Sequence, residues 1–140
     1  MISPDLKRIS LTDTTVLIDS EFDAAQRTVH LDQTTHEGLP SSLQGHSIGH
    51  WEGKTLVIDT TRFMVNLVGN SYGLPSGTQK HLSERLTPSA DGKSLIYHFE
   101  LSDPEYLAKP VSGEVTWQFR PDAGYAPEQC NRDIARHYTQ

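Results

Sequence analysis

The sequence predicts one all-β domain, most simply a small barrel of antiparallel strands arranged as a meander. Short stretches rich in β-branched and aromatic residues recur along the 140 residues, and many of them alternate apolar with polar positions. Turn-forming residues separate these stretches, and no segment sustains a helical period for three turns. About eight strands are expected, which is roughly the number at which a closed sheet can fill its interior or hold one small ligand. A two-sheet sandwich is the alternative.

Three strands are predicted before the first long loop, at residues 7–13, 15–22 and 27–32. In the third of these, Val29 and Leu31 share one face, whereas Thr28 and His30 share the other. We expect the three to form a meander. The stretch that follows, QTTHEGLPSS, mixes Gly, Pro and small polar residues and is predicted to be a loop.

Two hairpins are predicted in the middle of the chain. Residues 43–63 divide at Glu52-Gly53, and residues 80–101 turn at Asp91-Gly92. In both turns the glycine supplies the positive φ that a tight hairpin requires. The segment between the hairpins, MVNLVGNSYGLPSGT, is predicted to be a long loop, either a lid or binding loop or a plain solvated connection.

The last two strands alternate most clearly. The return strand of the second hairpin places four apolar residues on one face, namely Leu95, Tyr97, Phe99 and Leu101. Residues 111–119 likewise alternate Val111, Val115, Trp117 and Phe119 with polar residues. We therefore expect a sheet with one buried face and one wetted face. The polar tail after residue 120 is predicted to hold one short helix at residues 132–138.

Composition restricts the possible partners. The formal charge of −6 and a pI near 5.5, with no concentrated basic stripe, argue against binding nucleic acid. A single cysteine, Cys130, rules out an internal disulfide framework. The first residues show neither a signal peptide nor an apolar run of membrane-spanning length, so we expect a soluble, cytoplasmic protein that does not bind membranes. We expect a small-molecule ligand, while the oligomeric state stays open.

The stretch GHSIGHWEGKTLVIDT resembles the G-x-S-x-G-x-W-E-G-x-T-L-V-V-D-T segment of a widespread, uncharacterised bacterial family. The similarity covers roughly the C-terminal two-thirds of the chain. Members of the family are usually longer and often carry an export signal. Because the family has no established activity, the resemblance implies special positions and no reaction. Beyond that segment, these positions are His81, Glu84, Arg85, Asp103, Pro104, Tyr106, Pro110, Cys130 and Asn131.

A second resemblance concerns Gly49 and Trp51, which are similar to the Gly-x-Trp of lipocalin first strands. Arg120, after the final strand, is similar to the cation that covers that tryptophan. In this chain the motif lies in the middle rather than near the start. The resemblance implies a calycin-like barrel that holds a ligand.

Seven histidines raise the question of a metal site. His46 and His50 have the i, i+4 spacing of helical zinc sites, but the glycines around them indicate a strand. On a strand, residues four apart share a face and lie roughly 13 Å from each other, too far to chelate one ion. We therefore expect no metal and no cofactor.

The strongest candidates for chemistry are three titratable residues, Glu84, His81 and Asp59, with His46 nearby. Carboxylates and imidazoles in a mostly apolar barrel can be tuned for proton transfer. Strand geometry sets a constraint, because His81 and Glu84 point to opposite faces of a regular strand unless a bulge intervenes. Glu84 shares the apolar face of its strand and is the better interior candidate. Asp59 fits either a buried or a solvent-facing position.

Structural roles for the same residues carry about equal weight. Glu84 could pair with an arginine such as Arg62 or Arg120, and Asp59 could accept backbone hydrogen bonds at a strand end. Asp103, which precedes a proline, is most simply a turn residue. Ser47 lies in a G-x-S-x-G pattern by letter, but a nucleophile elbow needs a strand, a turn and a helix around the serine. The strand pattern on both sides indicates a coincidence.

Large aromatic side chains either fill the core or line a pocket for a flat or apolar molecule. The expected ligand-binding residues are His46, Trp51, Tyr97, Phe99 and Trp117. The leading hypothesis is a barrel that binds a small, mainly apolar or aromatic molecule, and acid/base chemistry of the lyase, isomerase or hydratase type is the activity considered with it. The alternative is a non-catalytic carrier or an accessory interaction module.

Overall fold

A computed structural model of the chain describes residues 6–21, 25–71 and 73–126 and confirms the all-β class. Within these ranges ten strands and no helix occur. The strands are β1 (Lys7–Leu11), β2 (Thr15–Ser20), β3 (Gln26–His30), β4 (His46–Glu52), β5 (Thr55–Thr61), β6 (Asn66–Ser71), β7 (Leu74–Ser76), β8 (His81–Pro88), β9 (Ser94–Ser102) and β10 (Val111–Gln118). Cys130 and the helix predicted at residues 132–138 lie outside the described residues.

Eight of the strands form one sheet in the order β1-β2-β3-β4-β5-β8-β9-β10. Neighbouring strands are antiparallel except β3 and β4, which pair in parallel through Val29 with Ser47 and His30 with Ile48. The prediction of an uninterrupted meander is therefore wrong at this point. A parallel pair needs a crossover connection, and residues 31–45 provide it.

The sheet curls into a half-barrel. Its two edge strands approach each other at one end, where Lys7 Nζ on β1 lies 5.9 Å from the centroid of the Trp117 ring on β10. The face enclosed by this curl, called the inner face below, carries the core, and the opposite face is called the outer face. The core residues are Val16, Val29, Leu56, Ile58, Leu86 and Tyr97, with Ile18, Leu31, Leu95, Phe99 and Trp117 packed against them.

Both predicted hairpins are present. Gly53 has a φ of 61° and Gly92 a φ of 70°, as the turn chemistry requires. Glu52 pairs with Thr55, so the two-residue loop consists of Gly53 and Lys54 and lies one residue later than predicted. The glycine thus occupies the first central position of the turn, where hairpin turns of both favoured types need a positive φ.

The long loop predicted after the first hairpin contains β6 and β7, which pair with each other as a separate two-stranded sheet. Asp103, whose exposed fraction is 1%, fastens this unit to the end of β9. Its Oδ2 accepts hydrogen bonds from Asn70 Nδ2 at 2.8 Å and from the backbone N–H of Gly77 at 2.9 Å. Asp103 is thus more than a turn residue, because it connects two parts of the chain.

Candidate functional site

The sheet register separates the three residues expected to act together. Glu84 pairs with Ile58 and Phe99, so it belongs to the inner face. His81 and Asp59 alternate with these positions and lie on the outer face, as strand geometry predicted for His81. The structure therefore brings His81 and Asp59 together and places Glu84 on the other side of the sheet.

On the inner face Glu84 is 3% exposed and belongs to a polar group enclosed by the core. Its carboxylate accepts two hydrogen bonds from Arg27, from Nη1 at 3.1 Å and from Nη2 at 2.6 Å. The hydroxyl of Tyr97 donates a third at 2.8 Å. Burial, together with the charge of Glu84, raises the pKa of Tyr97. The hydroxyl therefore stays protonated and acts as a donor.

Glu84 pairs with an arginine, as expected, but with neither of the two arginines named from the sequence. The guanidinium of Arg62 donates to the carbonyl oxygen of Leu39, and Arg120 pairs with Asp122. Arg27 is the partner of Glu84 because it lies two residues before Val29 on β3 and so points to the inner face, from which its long side chain reaches across β4 and β5. That parity was the signal in the sequence that could have identified Arg27.

On the outer face Asp59 binds two imidazoles, one with each carboxylate oxygen. His81 Nε2 lies 2.5 Å from Asp59 Oδ1, and His36 Nε2 lies 2.9 Å from Asp59 Oδ2. His81 begins β8, beside the end of β5 that carries Asp59. His36 comes from the crossover connection, which lies over this part of the sheet. A strand end and a loop thus converge on one carboxylate.

The hydrogen bonds continue from His36 to His46, the first residue of β4. The two Nδ1 atoms lie 2.8 Å apart, and His46 Nε2 lies 2.8 Å from Gln33 Oε1. The ring of His30 stacks on that of His46, with centroids 5.1 Å apart. His46 is thus near the acid/base group, as expected from the sequence, and His36 makes the connection.

With Gln33 oriented as it lies in the structure, these contacts have one consistent set of donors and acceptors. Gln33 Oε1 is an acceptor, so His46 Nε2 carries a hydrogen and His46 Nδ1 accepts one from His36. His36 Nε2 faces the carboxylate of Asp59 and therefore carries a hydrogen as well. Each of the three contacts then has one donor and one acceptor when hydrogens lie on His46 Nε2 and on both nitrogens of His36.

The pKa shifts of Asp59 and His46 agree with these positions of the ring hydrogens. Burial opposes ionisation of Asp59, but the hydrogen bonds of His81 and His36 outweigh it and hold the pKa of Asp59 below its ordinary value. Burial lowers the pKa of His46, and the positive charges of His36, His30 and Arg62 lower it further. Asp59 is thus ionised and His46 neutral near neutral pH.

A polar cleft of about 300 Å³ opens beside His46, between β3 and the residues that precede β4. Its lining consists of Gln26, Arg27, Thr28, His30, Ser42, Gln44, Gly45, His46 and Ser47. Gly45 has a φ of 71°, and a Cβ atom there would lie 2.6 Å from the backbone oxygen of Thr61. Glycine is therefore required at the entrance to β4, immediately before His46.

The aromatic residues expected to bind a ligand occupy different places. Trp51 is half exposed and lines a small apolar cavity of about 140 Å³ at the end of the half-barrel. Tyr97 stacks on Trp117, with centroids 4.7 Å apart, and lies 6.0 Å from Phe99. These three rings pack against one another within the core, which matches the packing role considered as their alternative.

The sequence raises two further chemistries, a metal site at His46 and His50 and a nucleophilic Ser47. Among the described residues no group of three or more His, Cys, Asp or Glu side chains is placed to hold a metal ion. His46 and His50 lie on one strand, and His50 Nε2 lies 3.3 Å from Glu52 Oε1. Ser47 is buried within β4, where its hydroxyl bonds that of Thr60 at 2.8 Å. The strand context excludes a nucleophile elbow.

Sequence reasoning missed His36 and Gln33, which complete the site from the crossover connection. The stretch that contains them has the composition of an ordinary loop, so no local pattern could have identified them.

No helix in the described ranges has the length and hydropathy needed to cross a bilayer. Comparisons with models of protein families, with curated proteins and with solved structures find no significant match to this chain.

Proposed function

We propose that this protein is an acid/base enzyme that acts on a small molecule at the outer face of the half-barrel. One observation carries the proposal: a single carboxylate, Asp59, contacts the imidazoles of His81 and His36, and His36 in turn contacts His46. His81 is placed to accept a proton, and His46, reached through His36, is placed to donate one. Eliminations, isomerisations and hydrations all need one group of each kind.

His81 is the proposed base. Its Nε2–H donates to Asp59 Oδ1, so the unprotonated nitrogen of the neutral ring is Nδ1. Nδ1 has no hydrogen-bond partner within the described part of the chain, and the side chain is 43% exposed. An aspartate that fixes the tautomer of a histidine, and then stabilises the imidazolium that forms, is a recurring catalytic arrangement.

His46 is the proposed acid. Its Nε2–H now donates to Gln33 Oε1, and a substrate atom that displaced Gln33 would receive this proton. His36 would then pass its Nδ1 proton to His46 Nδ1 and keep its hydrogen bond to the carboxylate of Asp59. The two-imidazole chain thereby delivers one proton to the cleft without leaving a charge on His46.

The two groups are spaced for one small substrate. His46 on β4 and His81 on β8 flank β5 on the same face, so their backbones are roughly 10 Å apart, or two strand spacings. A molecule in the polar cleft contacts His46 directly. Its far end can extend over Thr61, the residue of β5 that pairs with His46.

A second candidate, a non-catalytic carrier, is favoured by one observation. The apolar cavity lined by Trp51, Leu56 and Leu86 is large enough for a single ring. A carrier that used this cavity would bind apolar rings without involving Asp59 or the histidines of the outer face. The two candidate functions therefore predict different effects of substituting Asp59 or the histidines of the outer face.

The test uses 5-nitrobenzisoxazole, a small probe whose ring opens when a base removes one proton. We expect the wild-type protein to accelerate opening, and Asp59→Asn and His81→Gln to reduce the rate by about 100-fold. His98→Gln is the matched control, because His98 is an exposed histidine of the same sheet. Equal rates for wild type, Asp59→Asn and His98→Gln would refute the proposal and leave the carrier ahead. Thermal unfolding of each variant verifies that it is folded.

A further inference from the structure

The titratable side chains that line the polar cleft are all basic. Its lining contains three side chains that can carry positive charge, Arg27, His30 and His46, and no carboxylate. The remaining lining side chains are amides and hydroxyls, which can all donate hydrogen bonds. In a chain with a net charge of −6, a cleft with this lining is a local exception.

Arg27 retains donors that face no acceptor. Glu84 accepts from Nη1 and Nη2, which leaves the Nε–H outside the ion pair. Nε is buried and has no hydrogen-bond partner among the described residues, while the side chain remains 18% exposed. A buried donor without an acceptor is unfavourable, and a negative charge in the cleft that Arg27 lines would stabilise the guanidinium.

The surroundings of His46 favour an anion at the same place. His30 stacks on its ring, His36 bonds its Nδ1, and Arg62 contributes positive charge. The carboxylate of Asp59 lies beyond His36 and is already engaged with two imidazoles. An anion in the cleft would relieve the repulsion among these groups and favour a proton on His46.

We infer that the cleft binds the carboxylate group of a small organic acid. This inference rests on the proposed function, because it names the substrate class of the same site. The carboxylate bonds the imidazole, amide and hydroxyl donors of the cleft, and the organic part extends toward His46. A cleft of about 300 Å³ lies at the lower end of the sizes typical of small-molecule sites, which favours a compact acid.

The experiment is a titration of the full chain, followed by backbone amide NMR, with benzoate and separately with its neutral analogue benzamide. We expect benzoate to shift signals from residues 26–30 and 42–47 and to bind about tenfold more tightly than benzamide. Burial and neighbouring positive charge lower the pKa of His46, so the affinity for benzoate should rise only at pH values below the ordinary histidine value, where protonation of His46 favours the anion.

Two matched variants identify the place of binding without disturbing the core. Gln44→Glu adds a negative charge to the exposed rim of the cleft and should weaken benzoate binding about fivefold. Gln118→Glu adds the same charge at an exposed position of β10 and should leave benzoate binding unaltered. Equal affinities for benzoate and benzamide, or equal effects of the two variants, would overturn the inference.

Inorganic phosphate serves as the second probe. Shifts of the cleft signals by phosphate but not by benzoate would also overturn the carboxylate assignment. The two proposals fail separately. Benzoate binding with no rate on 5-nitrobenzisoxazole removes only the catalytic role, whereas a rate dependent on Asp59 without benzoate binding removes only the substrate class.

Discussion

Replacing Glu84 with glutamine tests whether this carboxylate has a structural role. The substitution keeps one acceptor oxygen for Tyr97 but places an NH₂ group against Arg27 Nη2, now 2.6 Å from the carboxylate. Arg27 then keeps its charge in a largely buried site without a counterion. Breaking a buried pair costs about 3–5 kcal/mol, and the retained acceptor favours the lower end, about 3 kcal/mol. For 140 residues this corresponds to a fall in Tm of about 10 °C.

Urea unfolding followed by tryptophan fluorescence measures this loss, and calorimetry gives the Tm. Tyr97→Phe is the graded control, because it removes one hydrogen bond to the same carboxylate and should cost only about 1 kcal/mol. A Glu84→Gln variant as stable as wild type would refute the structural assignment. It would indicate that Glu84 is kept for binding or catalysis, since functional groups are often locally destabilising.

Two further predictions concern the sheet and the outer-face carboxylate. Gly49→Ala should lower the free energy of unfolding by about 1–3 kcal/mol, because its Cβ would lie 2.8 Å from Val29 Cγ1; unchanged urea stability would contradict this packing. The pKa of Asp59 is lowered in the folded protein, so its carboxylate stabilises the fold at pH values above 3.8, its ordinary pKa. This contribution is lost as the pH falls through the lower pKa of the folded state. Asp59→Asn should therefore flatten the acid limb of the stability profile, and an unchanged limb would argue against the hydrogen bonds to His81 and His36.

Most of the fold could be predicted from alternation and turn chemistry. The parity of β8 and β9 placed Glu84, Tyr97 and Phe99 on the inner face, and the structure confirms it. The parallel pairing of β3 with β4 could not be predicted, because two ladder pairs leave no pattern in either strand. The β6–β7 sheet was missed for a related reason. It is short and rich in glycine, and it is fastened by Asp103, which is distant in sequence.

The site could be predicted only where strand geometry decides it. The sequence identified His81, Asp59 and His46, which the structure brings to one region of the outer face. It did not identify His36, because the crossover connection that contains it has no periodicity. Long-range placement by a loop depends on tertiary packing, which local composition does not encode.

The placement of protons around Asp59 is tested directly by long-range ¹⁵N spectra of the histidine side chains at neutral pH. We predict that His81 and His46 carry their hydrogen on Nε2, and that His36 is protonated at both nitrogens. In Asp59→Asn, His36 should lose its extra proton. A hydrogen on Nδ1 of His81, or a singly protonated His36 in wild type, would contradict the assignment of base and acid.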